Sequence, residues 1–323
     1  MKPVVAIIGL GVMGRRMLAN MHKIGGFEFA GGWDPSPDAC TDALAIVPGF
    51  NISDNPECLI SNPSVDLIYV ACPPANHKQY ALAAIAAGKA IYCEKPLGID
   101  IDESRSLVEA VEEAGTKHCV NFSLATAVAV EFIERGLKDG SIGDVQSVSI
   151  HLHFNKWPRD WQVPAAWLSE RFEGGFVRET FSHYAYLTQR LFGPVKIKQA
   201  YTRYPNDNKS AEINAVAVLE CGHIPISFVG GVGGINSSKA DKIEFTIWGS
   251  NSIYQLYDWN RIRTHSGGDW MEQLTDLGDL RVVGYERALL NVGKLMRGEP
   301  HVMPSFRDAL SVQEIVEEIL RSK

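Results

Sequence analysis

The chain has 323 residues, 46% of them hydrophobic and 21% charged, with a formal charge of −7. The length favours two domains and is enough to bury a core without staples. The acidic balance and the lack of any Lys/Arg run exclude a nucleic-acid footprint. Six scattered cysteines, Cys40, Cys58, Cys72, Cys93, Cys119 and Cys221, form no CxxC pair and no metal-like spacing, which points to thiols of a reducing compartment. The apolar start MKPVVAIIGLG lacks a cleavage pattern, and no stretch reaches the ~20 apolar residues of a membrane span. A soluble cytoplasmic protein is expected.

The first part of the chain alternates in character. Val4 to Ile8 is a continuous apolar run, the mark of a strand buried on both faces. A helix is predicted over Val12 to Ile24, a strand over Phe27 to Trp33 and a helix over Pro37 to Ala45. A weaker strand follows at Phe50 to Ile52, then a strong fourth strand at Val65 to Ala71. His77 to Ala87 reads as a helix stopped by Gly88, Ala90 to Cys93 as a strand, Ile101 to Ala114 as a helix stopped by Gly115, and His118 to Phe122 as a strand. Strands alternating with helices imply a parallel, doubly wound Rossmann sheet over 1–122.

Beyond residue 123 the rhythm changes. A helix is predicted at Val128 to Lys138. Strands follow at Val145 to Phe154, Val195 to Tyr204, Ile213 to Glu220, Ile224 to Val229, Lys242 to Trp248 and Ser252 to Tyr257. Several of them alternate apolar and polar residues, as an antiparallel sheet with one wet face requires. A helix over Gly174 to Leu191 interrupts them, and helices at Tyr285 to Arg297 and Ser305 to Ser322 close the chain. The second domain, 123–323, is therefore expected to be α+β, with a large, mainly antiparallel sheet. Its terminal helix is expected to pack back on the first domain.

The first motif is Gly9-Leu10-Gly11-Val12-Met13-Gly14. A GxGxxG is informative when it follows a strand and opens a helix, as here. Gly9 permits the tight turn, Gly11 the approach of a pyrophosphate, and Gly14 close packing of helix on strand. The helix start at Val12 and Met13 offers its N–H groups to phosphate. Asp34 ends the second strand twenty positions after Gly14. An acid there accepts hydrogen bonds from the adenosine ribose and repels a 2′-phosphate. NAD is the expected cofactor; Arg15 and Arg16 leave NADP open. Asp34 as a helix N-cap is the plain alternative.

Two further strand ends carry Cys72-Pro73-Pro74-Ala75-Asn76-His77 and Cys93-Glu94-Lys95-Pro96-Leu97-Gly98. Ligands of open α/β sheets bind outside such ends. Asn76 and His77 serve equally well as a cap of the next helix.

GLGVMG, CPPANH and EKP together resemble the glucose–fructose oxidoreductase/inositol dehydrogenase (Gfo/Idh/MocA) family. The likeness continues through Glu131 to Val145, EFIERGLKDGSIGDV, and through Gly174 to His183, GGFVRETFSH, which resembles the family's second catalytic helix. His183 is kept there, whereas Glu173, Glu179 and Tyr186 replace the family's Gly, Asp and Asp. Asn121 to Thr126 replaces its usual Arg-containing stretch. The resemblance implies an NAD(P)-dependent oxidoreductase that exchanges hydride between nicotinamide and a sugar, cyclitol or related small hydroxy/oxo compound. It implies Lys95 at the nicotinamide end, a frequently cis Lys95–Pro96 bond, Glu94 on a cofactor ribose, and Cys72, Pro73, Asn76, His77 and Asn121 lining the cofactor. It also implies homodimers or homotetramers formed through the C-terminal sheet.

His183 is the expected base, since imidazole titrates in the useful range. Glu179, four residues earlier, is expected on the same helix face. Lys95 is expected to stabilise alkoxide charge or to relay the proton. Arg159, Trp161, Trp167 and Arg178 are further pocket candidates. His151 and His153 share a strand face, with no third ligand to suggest a metal, and no metal is expected. Two other functions fit the same motifs: a glycoside hydrolase working by transient oxidation with NAD, and a nicotinamide-binding regulator without turnover.

Overall fold

The computed structural model describes residues 2–235 and 241–322. The chain divides into two compact units, Met1–Ala125 with Tyr285–Gln313 and Thr126–Gly284 with Glu314–Lys323.

In the first unit, β1 (Val4–Ile8), β2 (Glu28–Trp33), β3 (Leu67–Val70), β4 (Ala90–Cys93) and β5 (His118–Val120) form a parallel sheet in the order β2-β1-β3-β4-β5. All of β3 and β4 is buried, which is why these strands read as unbroken apolar runs. The crossovers are α1 (Val12–Ile24), α2 (Pro37–Ile46), α3 (Pro56–Ile60), α4 (His77–Ala86) and α5 (Ile101–Glu113). Capping agrees with the residue types. Ser36 Oγ accepts the Ala39 N–H at the start of α2, and Asp100 accepts the Glu103 N–H at the start of α5. Met17, Leu18 and Met21 of α1 pack with Val5, Ile7, Leu67 and Tyr69. Leu289, Val292 and Leu295 of α8 (Leu280–Arg297) join the same core.

One expectation fails in this unit. Phe50 to Ile52 is not a strand. Only an isolated bridge joins Ile52 to Gly32. The chain exchanges two bonds there, Gly32 N–H to Asn51 O and Ser53 N–H to Gly32 O, and then turns into α3. Asn55 Oδ1 accepts the Cys58 N–H at 2.8 Å and so caps that helix at once. Five residues are too few for a helical period to show in the sequence. The strand leading to Cys72 is therefore the third, not the fourth.

The second unit holds α6 (Val128–Lys138), β6 (Val145–Phe154), α7 (Ser182–Phe192), β7 (Val195–Arg203), β8 (Asn214–Cys221), β9 (Ile224–Val232), β10 (Lys242–Gly249), β11 (Ile253–Tyr257), β12 (Arg261–His265) and β13 (Met271–Gln273). Among the described residues these eight strands form one sheet, ordered β13-β12-β11-β10-β6-β9-β8-β7. It is antiparallel except for β6 and β9, which run parallel with Val148 opposite Ile226. Burial alternates strictly along the second half of β6, so one face is packed and the other wet. β12 and β13 were not anticipated, because a strand with one buried apolar residue, Ile262, carries little alternation. The last helix, α9 (Phe306–Arg321), ends in this unit, where Thr202 Oγ1 donates to Ile319 O and the Tyr204 hydroxyl to Leu320 O. Among the described residues no helix is long and apolar enough to cross a membrane.

Candidate active site

The glycine loop leaves β1 and enters α1 with Gly11 as N-cap. Gly9 has φ +99°, and a Cβ on it would lie 2.5 Å from Cys72 N. A Cβ on Gly14 would lie 1.9 Å from Gly9 O. Both positions therefore exclude any side chain, and both hold helix and strand ends close. Gly11 differs, since a Cβ there meets nothing within 4 Å. The space over the helix start is open, no side chain caps it, and the first turn carries no acid. A pyrophosphate fits that cradle, with the N–H groups and the positive dipole end facing it. Val12 and Met13 are half-buried at its rim.

Asp34 is joined to this loop directly. Its Oδ2 accepts the Leu10 N–H at 2.7 Å and its Oδ1 the Ser36 N–H at 2.8 Å. Ser36, not Asp34, is the cap of α2. Arg15 donates to Leu10 O and pairs with Asp42 at 3.4 Å. Asp34 thus presents its carboxylate beside the glycine loop, as binding of ribose hydroxyls requires.

The two other strand ends are tied to each other. The His77 ring is fully buried, with Nδ1 2.9 Å from Pro96 O and Nε2 2.8 Å from Cys72 O. Burial lowers its pKa from the usual range, and the charge of Lys95 adds to that. His77 therefore clamps the Cys72–Pro73 turn to the Lys95–Pro96 turn. The Lys95–Pro96 bond is cis. Asn76 is exposed and makes no side-chain capping bond. Glu94, 5% exposed, accepts from the Tyr69 hydroxyl and from Asn121 Nδ2 at 2.6 Å, while the Tyr92 hydroxyl donates to Asn121 Oδ1 at 2.6 Å. Burial and the Glu94 carboxylate push the Tyr69 phenol well above its usual range, so it stays a donor. This chain of bonds fixes Glu94, and Lys95 beside it is itself 9% exposed. Gly9, Gly11, Gly14, Asp34, Cys72, His77, Glu94, Lys95 and Asn121 thus all lie at the C-terminal edge of one sheet.

In the second unit the expected helix over Gly174 to Leu191 is not continuous. It begins as a π-helical turn, Val177–Phe181, and becomes α-helical in α7. The Ser182 N–H reaches back to Val177 O, the five-residue bond of a π turn. Glu179 therefore stands in the π turn and His183 in the α-helix that follows it. Both residues nevertheless lead to one group. Gln162 Nε2 donates to Glu179 Oε1 at 3.1 Å, and Gln162 Oε1 accepts from Arg159 Nε at 3.0 Å. His183 meets the Trp259 ring edge-on at 5.6 Å, and the Arg159 guanidinium lies 5.5 Å from that same ring. Phe154, Trp157 and Trp161 also surround Arg159.

Arg159, Asp160, Trp161, Asp258 and Trp259 line a cleft of about 280 Å³. Asp258 and Trp259 both have positive φ, 45° and 72°, a costly conformation for non-glycine residues that clusters at functional sites. Trp259 and Gln162 were not found from the sequence. No motif marks either; Gln162 reaches Arg159 locally, across a three-residue helical turn, whereas only the fold brings Trp259 to it. Arg178, expected in a pocket, is instead buried against Glu317 in a two-bond pair at 2.6 and 2.9 Å. Trp167 does not line the cleft. His153 Nε2 is 2.9 Å from Gly233 O, and burial lowers the His151 pKa. Among the described residues no group of three His, Cys, Asp or Glu is placed to hold a metal.

Comparison with known proteins agrees with this architecture. The family model described as "Oxidoreductase family, NAD-binding Rossmann fold" matches residues 4–122, and its companion, "Oxidoreductase family, C-terminal alpha/beta domain", matches residues 135–323. Oxidoreductase P35 of Formosa agariphila is 31% identical over 45% of this chain and 46% of its own length. An inositol 2-dehydrogenase of Rhodococcus erythropolis is 33% identical over 35% of this chain and 33% of its own. The matched stretches span less than half the length of these curated relatives. The WlbA dehydrogenase of Bordetella pertussis, solved in complex with NADH and UDP-GlcNAcA, superposes with a TM-score of 0.83 at 21% identity, over 99% of this chain and 95% of that one, which shows a shared fold. With both domains matched in order and an NAD-binding Rossmann domain at its N-terminus, the chain belongs to the Gfo/Idh/MocA oxidoreductase family.

Proposed function

We propose that this chain transfers hydride between a nicotinamide cofactor and a sugar- or cyclitol-like alcohol or carbonyl. The bound nicotinamide supplies the hydride exchange, and the protein supplies position and proton management. Lys95 donates to the substrate oxygen and stabilises the alkoxide charge that develops there. His183 takes the alcohol proton as general base, and Glu179 orients the substrate. Lys95 carries this reading. A nearly buried lysine at the C-terminal end of β4, between a fixed carboxylate and a clamped proline turn, stands where open α/β sheets bind their ligands. The cleft of Arg159, Asp160, Trp161 and Trp259 supports a polyol, because carboxylates accept from hydroxyls and indole faces cover C–H groups. The inositol 2-dehydrogenase among the relatives supports the same class.

Incubation with NAD and a panel of cyclitols, aldoses and keto-sugars is expected to give net NADH with at least one compound. The His183→Asn variant should lower kcat/KM for that compound by about 10²- to 10³-fold. Tight NAD binding without net NADH from any panel member would count against the dehydrogenase.

We also propose that the wet face of the sheet receives a second copy of this chain. Tyr201, Val216 and Val229 lie in one cross-strand row, and Val218 beside them is 48% exposed. Apolar rows of this kind mark interaction sites. Sedimentation velocity should show an oligomer for the native protein and monomers for Val216→Lys/Val229→Glu. A native monomer would overturn the assignment.

A further inference from the structure

One buried carboxylate outside these roles holds the turn that carries Glu179 and leads into His183. Glu212 stands just before β8 and is 2% exposed. Its Oε1 accepts the N–H of Val177, the first residue of the π turn, at 2.7 Å. The space for its carboxylate comes from Gly175, where φ is +99° and a Cβ would lie 2.1 Å from Glu212 Oε2. The far end of the turn is closed by Ser182, which sends its N–H to Val177 O and its hydroxyl to Arg178 O at 2.6 Å. The Glu212 bond is therefore an anchor from outside the turn on its first residue. The next residues are Arg178 and Glu179, and His183 follows one turn on.

We propose that Glu212 is a positioning residue for the reaction: its carboxylate holds Val177, sets the π turn that carries Glu179 and leads into His183 of α7, and loosens that hold when it takes up a proton. The inference rests on the roles given above to His183 and Glu179. A charged acceptor makes a stronger bond to a backbone N–H than a neutral one, so the ionised form holds the turn better.

The charged and titratable groups facing Glu212 are Arg178 from the π turn, Glu317 from α9 and Tyr204 after β7, with Arg171 stacked over the Tyr204 ring at 3.8 Å. Burial pushes the Glu212 pKa up to about 7, against the pull of the Val177 bond and Arg178. Glu317 adds to the rise. The sign follows directly. Below neutrality Glu212 is protonated and the turn is loosened; above it the turn is held. Activity therefore falls on the acid side for a reason additional to protonation of His183.

The test compares native protein with Glu212→Gln, Glu212→Ala and His183→Asn, all loaded with NAD. Glutamine keeps the acceptor for Val177 and removes the titration. Glu212→Gln should retain activity within about tenfold at neutral pH, with an acid limb of kcat less steep than the native one. Glu212→Ala should lose about 100-fold in kcat with little change in KM, as a displaced catalytic side chain does. The histidine ring ¹⁵N shifts, with the His183 signal identified by its absence in His183→Asn, should lose in Glu212→Gln the second titration step that Glu212 adds to them in the native protein. A native pH profile in Glu212→Gln would overturn the inference even where Glu212→Ala fails to fold. If instead His183→Asn keeps native activity, the proposed reaction fails, and that outcome is distinct from a failure of Glu212 alone.

Discussion

The Lys95→Met variant is expected to lose turnover by about 10³-fold, equivalent to ~4 kcal/mol of transition-state stabilisation. Methionine has nearly the length of lysine and suits a position that is 9% exposed. The packing of the Lys95–Pro96 turn should therefore persist, and His77 should still bridge Cys72 O and Pro96 O. What disappears is one charged donor. The glycine loop and Asp34 are untouched, so NAD affinity, followed by quenching of protein fluorescence, should stay within about tenfold of native, a change of ~1.4 kcal/mol. Steady-state kinetics on the best substrate decide the matter. Turnover within tenfold of native would remove Lys95 from the chemistry. A collapse of NAD affinity would make it a cofactor ligand only.

Glu317→Ala is expected to destabilise the protein by about 3–5 kcal/mol, because it strands the Arg178 guanidinium in the interior. Both partners are more than nine-tenths buried, and their two bonds are short. Arg178 also donates to Arg171 O and Gly174 O, which keeps the arginine in place after its acid is gone. The pair itself need not be strongly stabilising, since desolvation offsets most of the attraction. The double variant Arg178→Met/Glu317→Leu should therefore recover most of the loss. Urea unfolding curves measure both. A loss below ~1 kcal/mol for Glu317→Ala would show that water reaches the pair. A double variant no more stable than the single one would show that the pair contributes more than a shared burial cost.

Much of the first unit was legible. The strand and helix order, the glycine loop, Asp34 and the Lys95 turn all stand where their patterns put them. The reason is physical: a parallel strand buried on both faces must be apolar along its whole length, and a glycine required by a close approach admits no substitute. Phe50 to Ile52 misled because an apolar triplet marks burial, and burial does not require a strand. The Phe50 ring packs against Gly32 without a continuing ladder. In the second unit β6 was legible to the residue, while β12 and β13 were not, because short strands with few buried apolar residues alternate weakly.

The site divides along the same line. Residues bound by local backbone demands, such as Gly9, Gly14, Asp34 and the Lys95–Pro96 turn, are written in short motifs and can be found without coordinates. Trp259 and Glu212 cannot. Glu212 lies 35 positions from the Val177 N–H it accepts, and Trp259 is far from His183 in the chain. The π turn that carries Glu179 is likewise invisible to a period of 3.6, since its five-residue bond runs from Ser182 to Val177. Fold, family and cofactor cradle thus follow from patterns within single elements. The surroundings of the acid–base pair follow from packing between elements, where a side chain's partner is chosen by proximity in space and leaves no periodic trace in the chain.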